Sequence, residues 1–255
     1  MNSSERTAVV TGASRGFGRA ISLELARQGF RVGLVGRSTK GLEETQRQAE
    51  EVEAKTQPFT ADISDADSVL GLVDALTAWT NALDLLVNNA GLIEPLGAFA
   101  DGPFDAWEKG LRTNVEGTAR VTHALLPFLL RAPRASIVTI SSGAAVSDIS
   151  GWSAYCTSKA ALDRFATVLD AELRDRGVRS YSFAPGTIDT GMQRAIRQTG
   201  VGPARLVSGE VEHLPPEVPA RAVAFLATPE AEPLAGRHLD IRYPEVREAL
   251  GLPAE

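Results

Sequence analysis

The sequence predicts an α/β protein built on a doubly wound parallel sheet of about seven strands, with helices on both faces. Short apolar runs rich in β-branched residues alternate with amphipathic segments of helical length. No repeat, low-complexity tract or Pro/Gly-rich linker divides the chain. Because strands that alternate with helices form parallel sheets, we expect residues 1–255 to form a single domain.

Composition excludes several classes of protein. The 255 residues are 44% hydrophobic and 23% charged, which suits a globular chain with a sizeable core. A net charge of −6 offers no basic surface for nucleic acid. No apolar run approaches the ~20 residues of a membrane span, and residues 1–6 are too short and polar for a signal peptide. One cysteine and three histidines without metal-ligand spacing favour a reducing cytoplasm and no metal site.

The first part of the chain has the pattern strand, glycine-rich turn, helix, strand. The strands are predicted at 7–11 and 31–35, with a helix that ends at Gly29. Between the first strand and the helix, the glycines are spaced GxxxGxG, which allows a tight turn and close approach of the backbone to a phosphate. The helix N-terminus then offers free N–H groups to the anion. The turn predicts a Rossmann-like dinucleotide site with contacts from Gly12, Ser14, Arg15, Gly16, Phe17 and Gly18.

The residues after the second strand bear on the choice of dinucleotide. NAD is usually held there by a carboxylate on the ribose, but this chain has Gly36-Arg37-Ser38. Arg15 in the glycine-rich turn could approach the same position from the other side. Arginine binds phosphate through a planar, bidentate fork, so we expect NADP(H) to be preferred over NAD(H). The alternative is that both are ordinary surface arginines.

Two further strands end in polar residues. A helix over 42–53 leads to a strand at 57–61, after which Asp62 and Ile63 are placed to contact an adenine. Asp62 could instead cap the helix predicted at 67–79, although Ser64 is the more favoured N-cap. A strand at 83–87 runs into Asn88-Asn89-Ala90-Gly91, where a cofactor should pass the carboxyl edge of the sheet. A turn required only by the topology is the alternative.

The next predicted helix and strand supply two candidate polar residues. A helix is predicted over 104–130 with a break near Pro127, and it contains Asn114. Asn is a poor interior helix residue, so its side chain either faces water or has a function. The strand at 136–140 leads into Ser142. In isolation, Ser142 could be a strand-end hydroxyl without a function.

Tyr155 and Lys159 are four residues apart in a helix predicted over 153–176. Four residues make about one helical turn, so both side chains project from the same face. A nearby ammonium favours the phenolate, and we expect it to bring the pKa of Tyr155 from ~10 towards neutral. The spacing also occurs by chance on solvated helices, but the chain has only four lysines and three tyrosines.

Beyond this helix the pattern becomes less regular. A strand at 178–183 turns sharply at Pro185-Gly186, and residues 187–216 show no strand pattern. Long irregular segments are typical of lids and binding loops, so we expect a substrate lid here. A helix at 219–226 and a seventh strand at 236–241 complete the fold.

The chain resembles the short-chain dehydrogenases/reductases over nearly its whole length. The matching features are Thr11-Gly12-Ala13-Ser14-Arg15-Gly16-Phe17-Gly18, Asp62-Ile63, Asn88-Asn89-Ala90-Gly91, Asn114, Ser142, Tyr155 with Lys159, and Pro185-Gly186. The resemblance implies that Tyr155 is the catalytic acid/base and that Ser142 polarises the substrate carbonyl. Lys159 would lower the Tyr155 pKa and bind the nicotinamide ribose, and Asn114 would hold a water that connects Lys159 to solvent. It also implies cofactor contacts from Asn88, Ala90, Gly91, Pro185, Gly186, Ile188 and Thr190.

Within that family, the segments 88–97, Tyr155-Cys156 and 184–193 are similar to sepiapterin reductases and benzil reductases, which reduce vicinal dicarbonyls. Sepiapterin reductases hold the pterin with an acid near the C-terminus, where this chain has Asp240 in the strand and then Tyr243. The expected function is therefore NADPH-dependent reduction of a benzil-like diketone. The predicted substrate wall is apolar and consists of Ala144, Val146, Ile149, Trp152, Met192 and Ile196.

Several alternatives to this function remain open. They are a sepiapterin reductase, a 3-oxoacyl carrier-protein reductase, another alcohol dehydrogenase of the family and, outside catalysis, an NADP-sensing regulatory protein. Trp152 and Met192 are each better explained by packing than by a role in substrate specificity. The resemblance also implies a homodimer or homotetramer built on the helices at 104–130 and 153–176.

Overall fold

The computed structural model describes residues 6–51, 54–211 and 213–253. Its centre is a seven-stranded sheet in the order β3-β2-β1-β4-β5-β6-β7, in which every pairing is parallel. The strands are β1 Thr7–Thr11, β2 Arg31–Gly36, β3 Thr56–Thr60, β4 Leu85–Asn88, β5 Ala135–Ile140, β6 Val178–Ala184 and β7 His238–Asp240. The expected Rossmann-like α/β fold is confirmed.

Helices connect the strands and cover the sheet. The α-helices are α1 Gly16–Arg27, α2 Thr39–Glu50, α3 Ala66–Trp79, α4 Phe104–Leu111, α5 Thr118–Leu129, α6 Ser153–Leu173, α7 Gly191–Thr199, α8 Ala204–Ser208, α9 Glu217–Phe225 and α10 Pro244–Ala249. No helix of the described ranges is both long and apolar enough to cross a membrane.

Alternate residues of each strand pack on opposite faces of the sheet, as the pleat requires. In β1, Val10 belongs to the core that α1 and α9 cover, whereas Val9 belongs to the core under α3 and α5. Both valines are fully buried. Because both faces are covered, the central strands read as continuous apolar runs rather than alternating ones.

The strand order reverses between β1 and β4. The chain runs outwards from β1 to β2 and β3, then returns to pair β4 with β1 on the other side. The connections on the two sides of such a reversal diverge and leave a crevice at the carboxyl ends of the strands. The glycine-rich turn after β1 and the turn after β4 both open into that crevice.

The helix boundaries differ from the expectation at two N-termini. α2 begins at Thr39, because the Ser38 hydroxyl accepts a hydrogen bond from the Gly41 amide and caps the helix. Its predicted end at 53 lies outside the described residues. The N-cap of α3 is Asp65 and not Ser64, because the Asp65 carboxylate accepts from the Ser68 amide.

The long helix predicted over 104–130 is interrupted at a different place. Pro127 lies inside α5 without ending it, whereas residues Arg112–Gly117 form a π-helical turn between α4 and α5. Asn114 lies in that turn. A π-turn inserts an extra residue and redirects nearby side chains. The apolar periodicity of the sequence does not predict such a turn.

Residues 187–216 are more regular than the sequence indicates. They contain α7 and α8, each followed by a glycine with φ of 67° or 79° that ends the helix. Both helices are too short to show an apolar periodicity from which a helix could be predicted. A 3₁₀ segment at Pro229–Leu234 and the helix α10 were also not expected.

Candidate active site

The glycine-rich turn packs directly against the turn that follows β4. Gly12 has a φ of 69°, and a Cβ added there would lie 2.8 Å from Asn89 Nδ2. A Cβ at Gly18 would overlap the carbonyl oxygen of Gly12. α1 begins at Gly16 and no side chain caps its N-terminus. Its first N–H groups are therefore available to an anion in the crevice.

Asn89, and not Asn88, joins the two turns. The Asn89 side-chain amide donates to the carbonyl oxygen of Thr11 at 2.9 Å, and its backbone N–H donates to the Thr11 hydroxyl at 3.0 Å. Asn88 is buried in β4, and its amide donates to Thr122 of α5 at 2.9 Å. The expected cofactor contact from the Asn88 side chain is thus corrected: neighbouring strand residues face opposite sides, and Asn88 faces α5.

Arg15 and Arg37 are on the same side of the crevice, because each follows one of two neighbouring residues: a Cβ on Gly36 would lie 3.7 Å from Ser14 Cβ. Both side chains are exposed and line the same cavity, with Ser38 beside them. β2 ends at Gly36 without a carboxylate at its edge. The nearest acid is Asp62, whose Oδ2 lies 3.8 Å from Arg37 Nη1.

Asp62 and Ile63 line the cavity next to this end. Burial alone would raise the pKa of Asp62, but hydrogen bonds from Ser64 and the charge of Arg37 hold that pKa below its usual range. The carboxylate accepts from both the backbone N–H and the hydroxyl of Ser64, at 2.9 and 2.7 Å. It is therefore ionised and already engaged at neutral pH.

Ser142, Tyr155 and Lys159 meet at the other end of the crevice. β5 ends at Ile140 and delivers Ser142, while α6 begins at Ser153 and presents Tyr155 and Lys159 one turn apart. The Ser142 hydroxyl and the Tyr155 phenol line the same cavity, and the Ser142 hydroxyl accepts a hydrogen bond from the Ala144 N–H at 3.2 Å. Lys159 Nζ donates to the carbonyl oxygen of Ile140 at 2.6 Å and lies 5.6 Å from the centre of the Tyr155 ring. Both α6 side chains are at least 94% buried.

Burial, rather than the neighbouring cation, dominates the pKa of Tyr155. Burial raises that pKa to about 12, and the Ser142 hydroxyl only partly offsets the rise. The expected shift towards neutral is therefore wrong for this structure. Burial also lowers the pKa of Lys159 to about 8, against the opposing effect of Asp163. The phenol holds its proton at neutral pH, which suits a group that donates a proton.

Asn114 lies behind the crevice and does not line it. Its amide donates to the carbonyl oxygen of Leu92 at 2.8 Å and to the Ser158 hydroxyl at 3.0 Å, while its Oδ1 accepts from the Leu92 N–H at 2.8 Å. Ser158 in turn donates to the carbonyl oxygen of Tyr155. A Cβ on Gly91 would lie 3.4 Å from Asn114 Oδ1 and 3.9 Å from Lys159 Nζ. The π-turn thus brings Asn114 close to Lys159, with only a glycine between them.

The two ends belong to one continuous cavity of about 910 Å³. Known small-molecule and cofactor pockets occupy roughly 300–1,000 Å³, so the space suits a dinucleotide with a small substrate. All the expected cofactor residues except Asn88 line it, and so do all the expected substrate residues, namely Ser142, Ala144, Trp152, Tyr155 and Met192. The open helix N-terminus, the glycine cradle and the paired arginines at one end fit a nicotinamide dinucleotide.

The substrate end of the cavity has an apolar wall. Trp152 packs edge-on against Tyr155 with ring centres 5.8 Å apart, and Ile149, Met192 and Ile196 complete the cluster. Val146 was expected in this wall, but its side chain is 74% exposed. The chain turns outwards after the short 3₁₀ segment Gly143–Ala145, which leaves Val146 in solvent.

Several cavity residues were not recognised in the sequence. They include Thr113, Ser147, Gln193, Arg205, Leu206 and Arg242. Arg205 and Leu206 come from α8, which the sequence did not predict, and Arg242 follows the edge strand β7. No sequence pattern marks these residues, because their position depends on how distant segments fold over the crevice.

The C-terminal acid Asp240 lines the cavity but is fully engaged. Arg242 donates to its two carboxylate oxygens at 2.8 and 2.7 Å. Tyr243 is 37% exposed and lies outside the cavity lining. In the described part of the chain, no group of three or more His, Cys, Asp or Glu residues is placed to hold a metal ion.

Comparison with known proteins agrees with this geometry. The family model for short chain dehydrogenases matches residues 6–200. A benzil reductase ((S)-benzoin forming) of Saccharomyces cerevisiae is 33% identical over 235 residues, which cover 86% of this chain and 88% of that protein. The crystal structure of an NAD⁺-bound xylitol dehydrogenase has a TM-score of 0.86 at 25% identity and covers 94% of this chain and 99% of that one. That of an actinorhodin polyketide ketoreductase with NADPH has a TM-score of 0.85 at 27% identity, covering 93% and 95%.

These matches span most of the chain and coincide with the turn, the crevice and the Ser–Tyr–Lys cluster described above. The chain belongs to the short chain dehydrogenase family, oxidoreductases that bind a nicotinamide cofactor and act on CH–OH and C=O groups.

Proposed function

We propose that the protein is an NADPH-dependent carbonyl reductase that converts an apolar vicinal diketone, of the benzil type, to the hydroxy ketone. One observation carries the proposal: a single cavity joins a paired-arginine end at Arg15 and Arg37 to the Ser142–Tyr155–Lys159 cluster, where its wall is apolar. The first end suits a phosphorylated dinucleotide. The second suits a ketone with an aromatic or aliphatic body.

The two hydroxyls at the substrate end do the acid–base work. The reduced nicotinamide, when bound, supplies the hydride to the carbonyl carbon. The Ser142 hydroxyl donates a hydrogen bond to the carbonyl oxygen and stabilises the charge that develops there. The Tyr155 phenol, which holds its proton at neutral pH because burial raises its pKa to about 12, then donates that proton to the oxygen.

Lys159 and Asn114 support Tyr155. The Lys159 ammonium is fixed by the Ile140 carbonyl at 2.6 Å, one turn from the phenol, where it stabilises the phenolate left after proton donation. It would also bind the ribose next to the nicotinamide. Asn114 shapes the backbone at Leu92 and lies near Lys159, in a position suited to hold a water that returns the proton.

The preference for NADPH rests on Arg15 and Arg37. Arg37 directly follows β2, where a carboxylate would repel a 2′-phosphate, and Arg15 lines the same cavity. Asp62 is 3.8 Å from Arg37 but is held by Ser64, so Arg37 can turn to a phosphate without leaving the carboxylate unsatisfied. Structures with NADPH and with NAD⁺ both occur among the similar proteins, so the arginines carry this part of the proposal.

The segment 187–216 is proposed to act as a lid over the substrate. α7 and α8 contribute Met192, Ile196 and Leu206 to the apolar wall, and Trp152 Nε1 donates to the carbonyl oxygen of Val201 at 3.0 Å. A diketone would thus be enclosed between α6 and these two helices. The yeast benzil reductase that resembles the chain over most of its length supports this substrate class.

A second candidate is reduction of a 3-oxoacyl thioester held by an acyl carrier protein. Arg205 lines the cavity and is exposed, so it would face an acidic carrier protein, whereas Arg242 is also exposed there but pairs with Asp240. The likeness to a polyketide ketoreductase supports this candidate.

A sepiapterin-like role is less well supported, because the Asp240 carboxylate already accepts two hydrogen bonds from Arg242. An NADP-sensing role would not require the Ser142, Tyr155 and Lys159 cluster.

We also propose a homodimer or homotetramer built on the helices at 104–130 and 153–176. Phe104 on the first is 56% exposed, and Val168 on the second is 40% exposed. Burial of such surface between copies would remove it from water.

The test is a set of initial rates with NADPH and with NADH against benzil, a simple aliphatic diketone, sepiapterin and an acetoacetyl thioester. We expect the highest kcat/KM with NADPH and benzil. A higher value with the thioester would favour the second candidate, and faster turnover with NADH would contradict the roles of Arg15 and Arg37. Binding of NADPH without turnover of any carbonyl would favour the sensing role.

A further inference from the structure

Asp163 lies one turn beyond Lys159 on α6, so that Tyr155, Lys159 and Asp163 occupy one helix face at intervals of four residues. Its side chain is only 14% exposed. A buried carboxylate is costly unless it is ionised with partners or neutralised, so its position behind the Ser–Tyr–Lys cluster requires an explanation. None of the acid–base steps above uses it.

Three elements converge to hold this carboxylate. His238 Nδ1 of β7 lies 2.8 Å from Asp163 Oδ2, and the Ser182 hydroxyl of β6 donates to Asp163 Oδ1. Ser182 is fully buried, and the His238 side chain is 19% exposed. Burial alone would raise the pKa of Asp163, but the adjacent His238 imidazole and the hydrogen bond from Ser182 hold that pKa below its usual value. Asp163 is therefore a fixed negative charge.

Lys159 is buried at the bottom of the crevice, and its ammonium has one hydrogen bond to a backbone carbonyl, that of Ile140. A neutral carbonyl does not compensate a buried cation fully. Asp163 lies one turn beyond Lys159 on the same face of α6, where a negative charge favours the protonated form of Lys159. The other titratable groups around the pair are Tyr155 on α6, His238 and Asp240 on β7, and Arg242 after it.

We propose that Asp163 is a positioning residue of this active site: fixed by His238 and Ser182, its carboxylate keeps the Lys159 ammonium charged behind Tyr155. The inference rests on the role proposed above for Lys159, but it concerns how that cation is maintained. His238 is then the link through which the edge strand β7 orients the acid. Loss of the Asp163 charge should lower the pH at which Lys159 loses its proton.

The test compares Asp163→Asn with Asp170→Asn. Asp170 is a matched control because it lies on the same helix and is fully buried, accepting from the Ser180 amide. It is eleven residues from Lys159, which is about 16 Å along the helix. Asp163→Glu keeps the charge on a longer arm and serves as the conservative variant.

The first readout needs neither cofactor nor substrate. The chain has only four lysines, so their side-chain NMR signals can be titrated individually and that of Lys159 assigned with Lys159→Arg. We expect the titration midpoint of Lys159 to fall by about one pH unit in Asp163→Asn, to stay in place in Asp170→Asn, and to be largely restored in Asp163→Glu. An unchanged midpoint in Asp163→Asn would overturn the proposal.

The second readout is the pH profile of carbonyl reduction. If the alkaline limb follows Lys159, a shift of one unit makes Asp163→Asn about tenfold slower than wild type at pH 9 and nearly equal to it at pH 6. A loss of rate that is uniform across pH would mean a purely structural role and would contradict the proposal.

Absence of reductase activity in the wild type would refute the proposed function, while the NMR titration would still decide the role of Asp163. Should Asp163→Asn not fold, Asp163→Ser provides a smaller neutral side chain for both measurements.

Discussion

Burial sets the protonation states of the two ionisable side chains at the substrate end of the crevice, Tyr155 and Lys159. Ser142, Tyr155 and Lys159 do converge, but the pKa of Tyr155 is raised to about 12, where a lowering was expected. The expected lowering of the pKa considered only the charge of Lys159, because the burial of Tyr155 is a property of the folded molecule that the sequence does not show. The same limitation explains Asn88 and Asn89, which are adjacent in sequence but face opposite sides of β4.

Arg37 gives a residue-scale prediction about the cofactor. Arg37→Ala should lower kcat/KM for NADPH by about 10- to 100-fold, because a charge-assisted hydrogen bond to phosphate contributes about 1.5–3 kcal/mol. The value for NADH should change little. Arg27→Ala is the control, since Arg27 is also exposed but lies in the last turn of α1, outside the cavity. An equal loss with both cofactors would show that Arg37 does not read the 2′-phosphate.

At the scale of elements, the sequence predicted strands well and short or irregular helices poorly. All seven strands lie within two residues of the expected ends, because buried parallel strands form distinct apolar runs. The edge strand β7, expected at 236–241, is shorter at His238–Asp240. The π-turn at Arg112–Gly117 and the helices α7 and α8 were not anticipated. Each depends on tertiary contacts, and two of the three supply residues of the apolar wall.

The cover formed by α7 and α8 gives an element-scale prediction. Gly202 has a φ of 140°, and a Cβ there would lie 2.8 Å from the Trp152 ring. Gly202→Ala should displace Trp152 or the cover, and raise KM for the ketone about tenfold, since such strain costs about 1–3 kcal/mol. The KM for NADPH should stay within about twofold, since the glycine-rich turn is remote from this contact.

Gly200→Ala is the matched control for that variant. Gly200 also has a positive φ, 67°, but nothing lies within 4 Å of its added Cβ. It should therefore lose some stability without the same effect on the ketone. Equal KM values for both variants would mean that strain in the loop, and not the contact with Trp152, explains the result.

At the scale of the whole molecule, the topology explains why one cavity serves both halves of the site. The sheet order reverses between β1 and β4, so the turns after these strands diverge and leave the crevice open. On one side lie the glycine-rich turn and the paired arginines, on the other Ser142 and the face of α6. The alternation of strands and helices was enough to predict this architecture. The extent of the cavity and the arginines that line it are visible only in the folded chain.

The central claim is that Tyr155 donates the proton in a carbonyl reduction, and the most direct test is the initial rate of NADPH oxidation with benzil for Tyr155→Phe. Tyr181→Phe is the matched control, because Tyr181 is also buried and its pKa is likewise raised to about 12, but it lies in the core and not in the cavity. We expect Tyr155→Phe to reduce kcat about 100- to 10,000-fold, the usual contribution of a general acid, while NADPH still binds and Tyr181→Phe retains most of its activity. Turnover by Tyr155→Phe at the wild-type rate would contradict the assignment.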